Sequence, residues 1–464
     1  MICFTRVLLP AAVLLLAAGC AARERPRIED YMPRETFESI ERRRMAAFPG
    51  DQEIGPASVE TCVRIALDNN PMNRAAREGI AAAREAIGEA RSAYLPYVNV
   101  YLAFSRLEFQ DFRFDDGLLF PSELGPRNSY VAAPVATWSV FDGGGRRARL
   151  KAAEARKDIA RDEAARIRQD IALNVHQAFY SLQVALDAQL AAEKNLAASE
   201  EHRRLARERF EAGAAAEVDV LHANVGVSSA KLSLVRARSD ARVARGNLNA
   251  AMGLPPEMPL DVQPPRDELV PPEAMDVGEL FDQALRLRPE VRQALGRVEI
   301  ARRSVDEARS SYLPEVNLFG VYLQQGPDFP PEGRAWLYGA YMRVPVFEGL
   351  QRGYKMRRTK AQLAQENANT ESLVLQVRSE VWAAYERLRE AYEALEAARV
   401  VVANADENLR AASERYKLQA VTLSDLLDAQ NTLVRGEVSL IQARWEYYLA
   451  GAVLRRAVGT LIVE

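Results

Sequence analysis

The clearest pattern in the chain is an apolar stripe with alternating spacings of three and four residues. It comprises Val381, Ala384, Leu388, Ala391, Leu395, Ala398, Val402, Ala405, Leu409, Ala412 and Tyr416. This spacing is typical of the seam of a coiled coil, and the alanines allow neighbouring helices to approach closely. Taken alone, the stripe is better explained by the core of an ordinary helical bundle.

The stripe lies in the second half of a chain that repeats itself. Residues 63–71 (VRIALDNNP) match 281–289 (FDQALRLRP), and residues 90–100 (ARSAYLPYVNV) match 308–318 (ARSSYLPEVNL), both at an offset of 218 residues. Residues 140–144 (VFDGG) match 346–350 (VFEGL) at an offset of 206 residues. Copy two is therefore shorter by about 12 residues between these points. Such length differences are typical of surface loops.

The two copies differ in the quality of the stripe. At the matching positions of copy one, Gln189, Ser199 and Arg203 interrupt it. Polar side chains at a seam pack less closely than alanine or leucine, so we expect looser or wetter packing in copy one.

The duplication divides the chain into five predicted segments. They are a signal peptide (1–19), an N-terminal extended segment (20–58), a first repeat (59–253), a proline-rich linker (254–277) and a second repeat (278–464). Each repeat is predicted to run helix, strand, loop, strand, very long helix, turn and helix. The expected fold class is therefore mainly α, with two strands and long coiled-coil helices in each repeat.

The helix lengths argue against an ordinary bundle. From Gly144 to Glu211 is about 68 residues, or ~100 Å of helix, and Leu350 to Lys417 matches it. The shorter predicted helices, 59–92 and 217–252, together have about the same length. Two short helices stacked end to end are thus expected to run beside one long helix, with the strand pair inserted between them.

The strands are predicted where "YLP" ends a helix in each copy, because proline cannot continue a helix. In copy one, Val98, Val100, Leu102 and Phe104 alternate with Asn99, Tyr101, Ala103 and Ser105. The returning strands are expected at about 130–141 and 336–347. Their length suits a tilted crossing of ~30 Å of hydrocarbon, although a soluble sandwich uses similar strands.

Four strands cannot close a barrel, because the smallest membrane barrels need about eight. The chain is therefore expected to oligomerise, and three copies supply twelve strands and twelve helical columns. With ~10 Å between helix axes, a ring of twelve has an axial diameter of ~38 Å, which leaves a lumen. This arithmetic permits a trimer without requiring one.

The N-terminus, MICFTRVLLPAAVLLLAAGC, predicts export. One positive charge, Arg6, precedes an apolar run, and small residues lead to Cys20. "AAGC" resembles the lipobox of bacterial lipoproteins, in which the cysteine thiol is acylated and becomes the first residue of the mature chain. The alternative is an ordinary signal that is cleaved near Gly19.

Other classes of function receive little support. A net charge of -3 and the lack of RNA- or DNA-binding motifs argue against nucleic acid. His176, His202 and His222 lack metal-ligand spacing, so neither a metal nor another cofactor is predicted. "DGGGR" at 142–146 lacks the Lys-Ser/Thr of a phosphate loop, and no Ser-His-Asp motif occurs, so we predict no enzyme.

The order of these features resembles the TolC-type outer membrane efflux proteins, the outer membrane factor family, and specifically its lipoprotein branch. The resemblance spans about residues 55–462 and depends on "ALDNNP" with "ALRLRP", both "YLP" segments, "VFDGG" with "VPVFEG", and "RFEAGAAAEVDVLHA" with "RYKLQAVTLSDLLDAQ". Each motif alone is weak, whereas their order and spacing are specific.

The resemblance implies a homotrimer in which a 12-strand membrane barrel continues into a 12-helix periplasmic tunnel. It implies a lipid-anchored outer membrane channel that docks on a periplasmic adaptor (membrane fusion) protein and an inner membrane transporter of RND type, and passively conducts efflux substrates. The runner-up is the outer channel of a type I protein secretion system. A coiled-coil scaffold would need no repeated strands, and a hydrolase has no motif to support it.

The resemblance also implies a periplasmic gate at the helix tips. Asp425 and Asp428, three residues apart on one helical face, would form a ring of six carboxylates per trimer. A clasp would include Tyr416 and Asp219, although Val421 replaces the arginine that the family uses. The alternative for Asp425 is an ordinary stabilising position near a helix N-terminus, which Thr422 or Ser424 would cap.

The turns that end the long helices are the predicted docking site for the adaptor. In copy one, the small residues Gly213, Ala214 and Ala215 allow a tight reversal. In copy two, the predicted docking residues are Leu418 and Gln419. Such a turn leaves backbone exposed for a partner hairpin. The alternative is that these residues simply make a good turn.

Overall fold

A computed structural model describes residues 56–107, 127–265, 271–272, 275–418 and 420–462. The predicted signal peptide, Cys20 and Gln419 lie outside these ranges. Within them the chain forms eight helices and four strands. Copy one contributes α1 (Val59–Asn69), α2 (Pro71–Ser92), β1 (Tyr97–Leu107), β2 (Arg127–Phe141), α3 (Gly145–Glu211) and α4 (Glu217–Ala251). Copy two contributes α5 (Val277–Leu287), α6 (Pro289–Ser310), β3 (Glu315–Gly326), β4 (Gly333–Arg343), α7 (Gln351–Lys417) and α8 (Leu423–Val458).

The two long helices confirm the main prediction from the sequence. Helices α3 and α7 each contain 67 residues, which corresponds to ~100 Å of helix. The order of elements is the same in both copies. The duplicated repeat, with two strands and a very long helix in each copy, is therefore confirmed.

The prediction of one continuous helix over 59–92 was wrong. The helix breaks at Asn70, whose ψ of 126° is extended, and restarts at Pro71. A residue before proline is driven away from helical geometry, whereas proline itself suits the first position of a helix. The Asn70 side chain caps the new helix by accepting a hydrogen bond from Met72 N at 2.9 Å. Copy two breaks in the same way at Arg288 and Pro289.

The four strands form one antiparallel sheet in the order β1-β2-β3-β4. Each copy contributes a hairpin, and the hairpins join through β2 and β3, where Ala136 lies opposite Gly320. Strand β4 ends at Arg343, four residues before the predicted end at 347. Pro345 follows closely and cannot donate to a ladder, which explains the early end.

Burial follows the predicted stripe in copy two. Eight of its eleven residues are buried, and Val402, Leu409 and Ala412 are half-buried. In copy one every residue from 184 to 205, a stretch described throughout, is half-buried or exposed in the single chain. Exposure does not measure packing density, so the looser packing expected from the polar interruptions stays a prediction.

The described part of the proline-rich linker packs against copy one. Leu254 and Leu260 are buried in the same core as Phe179, and Val262 forms a parallel bridge with Ala57. The linker therefore fastens the start of α1 to the end of α4. Among the described helices, none is long and apolar enough to span a bilayer.

Candidate gate at the helix tips

The turn between α3 and α4 is a tight reversal built on Gly213. Its φ of 71° lies in the left-handed region, which glycine adopts without steric cost. Gly213 N donates to Phe210 O at 2.9 Å, and Ala214 N donates to Arg209 O at 2.8 Å. These two bonds form a Schellman motif, so the backbone carbonyls at the end of α3 are satisfied. Ala214 is exposed and Ala215 is half-buried.

The turn between α7 and α8 ends the second long helix in a similar way. Leu418 N donates to Glu414 O at 3.1 Å, and Ala420 N donates to Arg415 O at 2.9 Å. The Leu418 side chain is 79% exposed. An exposed leucine at a helix tip is available to a partner, as the docking prediction requires.

A small apolar core joins the two tips. Its buried members are Ala206, Ala223, Tyr416, Leu423 and Leu426, which come from all four tip helices. The predicted gate residue Tyr416 is thus part of the packing and is only 5% exposed.

Arg209 connects the ends of the two long helices, and the sequence reasoning missed it. Its guanidinium lies over the Tyr416 ring, with Cζ 4.1 Å from the ring centroid. The Nη2 group also donates to the backbone oxygens of Tyr416 and, at 3.1 Å, of Lys417. These carbonyls belong to the last turn of α7, where unsatisfied oxygens carry partial negative charge. The signal in the sequence was the aligned pairs Arg209-Phe210 and Arg415-Tyr416 at the two helix ends.

Asp425 takes part in a capping box at the start of α8. Its Oδ2 accepts hydrogen bonds from Thr422 Oγ1 at 2.7 Å and from Thr422 N at 2.9 Å. In return, Asp425 N donates to Thr422 Oγ1 at 3.3 Å. The hydroxyl bond, followed by the backbone bond, lowers the pKa of Asp425. The helix-capping explanation that the sequence left open therefore accounts for this aspartate.

Asp428 has a different environment, although it lies only one turn further along. Its side chain is exposed, and within the described ranges no hydrogen bond or ion pair engages its carboxylate. Asp219 occupies the position in α4 that matches Asp425 and accepts a bond from Ala216 N at 3.4 Å. In the single chain no hydrogen bond between Asp219 and Tyr416 is found among the described residues. The gate role of these residues stays a prediction.

No cluster of metal-binding side chains accompanies the tips or any other described part of the chain. His202, one of the three histidines, lies between helices near Gln430, whose Nε2 donates to Asn195 Oδ1 at 3.3 Å. Burial lowers the pKa of the ring, against a smaller opposing effect of the nearby Gln430 side chain, and among the described residues neither ring nitrogen forms a hydrogen bond of normal geometry.

Comparisons with known proteins agree with this architecture. A model of the outer membrane efflux protein family matches residues 62–254 and 280–460. Protein CyaE of Bordetella pertussis is 27% identical over 72% of this chain and 69% of its own length. Outer membrane efflux protein BepC of Brucella suis biovar 1 is also 27% identical, over 70% of this chain and 71% of its own.

Two further matches extend the comparison. Alkaline protease secretion protein AprF of Pseudomonas aeruginosa is 23% identical over 63% of this chain and 62% of its own length. The solved structure of the outer-membrane channel OprN has a TM-score of 0.73 at 22% identity, and the match covers 86% of this chain and 89% of that one. This last likeness shows the fold.

The fold is therefore that of the outer membrane channels, and the family match includes both repeats. The chain belongs to the outer membrane efflux protein family. The resemblance read from the motifs is confirmed.

Proposed function

We propose that this protein is the outer membrane channel of a tripartite efflux system and conducts substrates passively to the exterior. The main support is a pair of 67-residue helices extending from a sheet whose edge strands, β1 and β4, pair on one side only within the described residues. A free sheet edge is a template for pairing with another chain, and we propose that here it pairs with other copies of this one. Three copies then supply twelve strands for a membrane barrel and twelve helical columns for a tunnel.

An unpartnered apolar stripe on α4 supports the trimer. Its exposed members are Val218, Leu221, Val225, Leu232 and Val235. In copy two the residue matching Val235 is Ile441, which packs in the core beside α3. Trp445, one turn later, donates to Asp187 of α3 at 2.9 Å. Copy two thus packs on copy one within a chain, and α4 is free to pack on α7 of a neighbouring chain in the same way.

The partners follow from this assembly. We propose that the tips, including Ala214, Ala215 and Leu418, dock on a periplasmic adaptor, which connects the channel to an inner membrane transporter of RND type. Acylation of Cys20 anchors the N-terminus in outer membrane lipid, and the helical tunnel extends into the periplasm.

The experiment that tests the function is deletion of the gene in its host, followed by complementation with the wild-type protein. Increased accumulation of a fluorescent efflux substrate in the deletion strain, reversed by complementation, is expected. Native mass spectrometry of the purified protein should give three chains. Mass spectrometry of the mature N-terminus should give an acylated Cys20. A soluble monomer in the periplasm would reject the proposal.

The second candidate is the outer channel of a type I protein secretion system, which the named secretion role of AprF favours. The same deletion strain separates the two candidates. Loss of one or a few secreted proteins from the culture medium, with unchanged accumulation of the fluorescent substrate, would support secretion instead.

A further inference from the structure

The turn that follows β2 is packed closely against copy two of the same chain. A Cβ placed on Gly143 would lie 2.7 Å from Leu313 Cβ and 2.7 Å from Ser310 O, so only glycine fits there. Beside this contact Arg149 Nη1 pairs with Glu307 Oε1 at 3.1 Å. The end of α6 and the turn after it therefore fit against the strand-to-helix turn of copy one.

Copy two has the same strand-to-helix turn, but none of the described residues covers it. Gly349 matches Gly143 at the offset of 206, and the two have φ values of 57° and 65°. A Cβ placed on Gly349 would meet no atom within 4 Å. The surface around Gly349 therefore has the same backbone turn as the surface around Gly143, but it has no packing partner among the described residues of the single chain.

Copy one also contains a counterpart of the Ser310–Leu313 turn, which packs against Gly143. Ser92 and Leu95 match Ser310 and Leu313 at the offset of 218. The backbone turn is the same, since Leu95 N donates to Ser92 O and Leu313 N to Ser310 O, both at 2.9 Å. The serine hydroxyls donate to the carbonyls three residues earlier at 2.7 and 2.8 Å. Leu95 is 64% exposed.

We propose that the Ser92–Leu95 turn of one chain packs against the Gly349 turn of the next chain and so fixes the register between subunits. The contact is the intersubunit version of the one that Ser310 and Leu313 make within each chain. It depends on the proposed trimer and adds to it the residues at which the chains meet.

Charge complementarity supports the same register. Glu89 and Lys355 occupy the positions of Glu307 and Arg149, so an acid and a base face each other again. In the single chain Glu89 is exposed and Lys355 is half-buried. A pair of this kind contributes little to stability, but a shifted register would place like charges or unpaired charges at the contact.

The proposed contact is confined to the sheet end of the helices. Within the chain, Arg292 of α6 also pairs with Asp162 of α3 at 2.7 Å. Their counterparts are Arg74 and Ala368, so the ion pair has no equivalent between chains. The charged part of the intersubunit contact is therefore expected beside the sheet, and the apolar stripe of α4 further along the helices.

Cysteine cross-linking tests the contact in outer membrane vesicles. The variant Glu89→Cys with Lys355→Cys is treated with a bifunctional thiol reagent, and Glu307→Cys with Arg149→Cys, whose native side chains pair at 3.1 Å within a chain, serves as the matched internal pair. We expect covalent dimers and trimers from the first variant and a monomer with an internal link from the second. Each single cysteine variant gives the background from the native cysteines, of which Cys62 is buried and Cys20 is proposed to be acylated.

The glycines are left in place, because a Cβ at Gly143 would lie only 2.7 Å from Leu313 Cβ, closer than a disulfide allows, and Gly349 also has positive φ. Native mass spectrometry establishes the number of chains before cross-linking. An intact trimer in which Glu89→Cys with Lys355→Cys links no chains, while the internal pair closes, would overturn the contact alone. A monomer would overturn the channel as well.

Discussion

The guanidinium of Arg209 lies over the ring of Tyr416, 4.1 Å from its centroid, and donates to the last backbone carbonyls of α7. One side chain of copy one thus holds the end of the long helix of copy two. Cation–π attraction contributes ~0.5–2 kcal/mol and a charged hydrogen bond ~1.5–3 kcal/mol. The interaction is therefore strong enough to bias the position of a tip.

The first prediction is that Arg209→Ala loosens the tips and increases leak through the channel. We expect larger single-channel conductance and greater sensitivity of cells to bulky antibiotics, with the trimer retained. Arg209→Lys should have an intermediate effect, because lysine keeps the charge but lacks the planar fork.

The control for this prediction is Arg207→Ala. Arg207 is 74% exposed at its side chain and pairs only with Glu211 of its own helix among the described residues. Equal conductance in Arg209→Ala and Arg207→Ala would remove Arg209 from the gate.

The second prediction separates Asp425 from Asp428. Both carboxylates are expected to bind trivalent cations added from the periplasmic side, which should block conductance in the wild type. Asp428→Ala should weaken the block without disturbing α8, because its carboxylate has no partner in the described chain. Asp425→Ala should weaken the block and also fray the helix start, whereas Asp425→Asn should lose the charge and retain part of the cap.

The double variant Asp425→Ala with Asp428→Ala decides whether these residues bind the cation. Glu217→Gln, another exposed acid at the tips, is the control for nonspecific charge. A block of undiminished strength in the double variant would exclude both aspartates.

Sequence periodicity predicted the long helices to within a residue at each end, because their bounds depend on local signals. Gly144, Gly213 and Gly349 lie at three of the four ends, whereas the "YLP" segments mark the ends of α2 and α6. The break at Asn70 was missed, although "NNP" carried the signal, since the apolar pattern continues across it. The early end of β4 likewise depended on Pro345.

The Arg209 contact has another character. It joins residues 207 positions apart through one side chain, so the aligned pairs Arg209-Phe210 and Arg415-Tyr416 place an arginine and an aromatic ring at the helix ends without showing that they meet across the two copies. The capping box of Asp425, by contrast, is local and was anticipated as an alternative. The sequence therefore did not predict how the side chains of one copy pack on the other.

The third prediction concerns docking. Replacement of Ala214 and Ala215 by bulky charged residues should abolish efflux while the trimer still assembles, because Ala214 contributes only its backbone to the turn. The matched control is the same replacement at Ala197, which is exposed in the middle of α3. Unchanged drug resistance in the tip variant would reject docking at this turn.

The fourth prediction concerns an ion network that joins the repeats. Arg456 Nη2 donates to Asp170 at 2.7 Å and to Glu290 at 2.8 Å. Burial alone would raise the pKa of Glu290, but the bonds from Arg288 and Arg456 lower it to about 2. Arg456→Met leaves Asp170 and Glu290 with fewer partners and should lower the free energy of unfolding by about 3 kcal/mol.

The measurement is the thermal midpoint of helix loss in detergent, with Arg455→Met as the exposed control. Because the folded pKa of Glu290 is depressed, its contribution is present above the unfolded value near 4.5 and is lost as pH falls towards 2. The difference between wild type and Arg456→Met should therefore shrink with acid. A constant difference over this range would contradict the linkage.

The last prediction concerns His176, which is buried in α3 with an unpartnered Nδ1. Burial, and then the charge of Arg455, lower the pKa of His176 to about 4, against a smaller opposing effect of Glu60. A depressed folded pKa means that the unfolded chain takes up the proton first as pH falls. The contribution of His176 to the free energy of unfolding is thus fully present above about pH 6.5 and declines between about pH 6.5 and 4, by up to about 3 kcal/mol.

His176→Phe should remove most of this decline, because phenylalanine fills the site without titrating. The exposed His222→Gln is the control and should retain the wild-type dependence. His202, whose pKa burial also lowers, is present in both variants and sets the residual slope. The thermal midpoint measured from pH 7 to pH 4.5 checks this, and parallel curves for the wild type and His176→Phe would show that His176 does not carry the acid sensitivity.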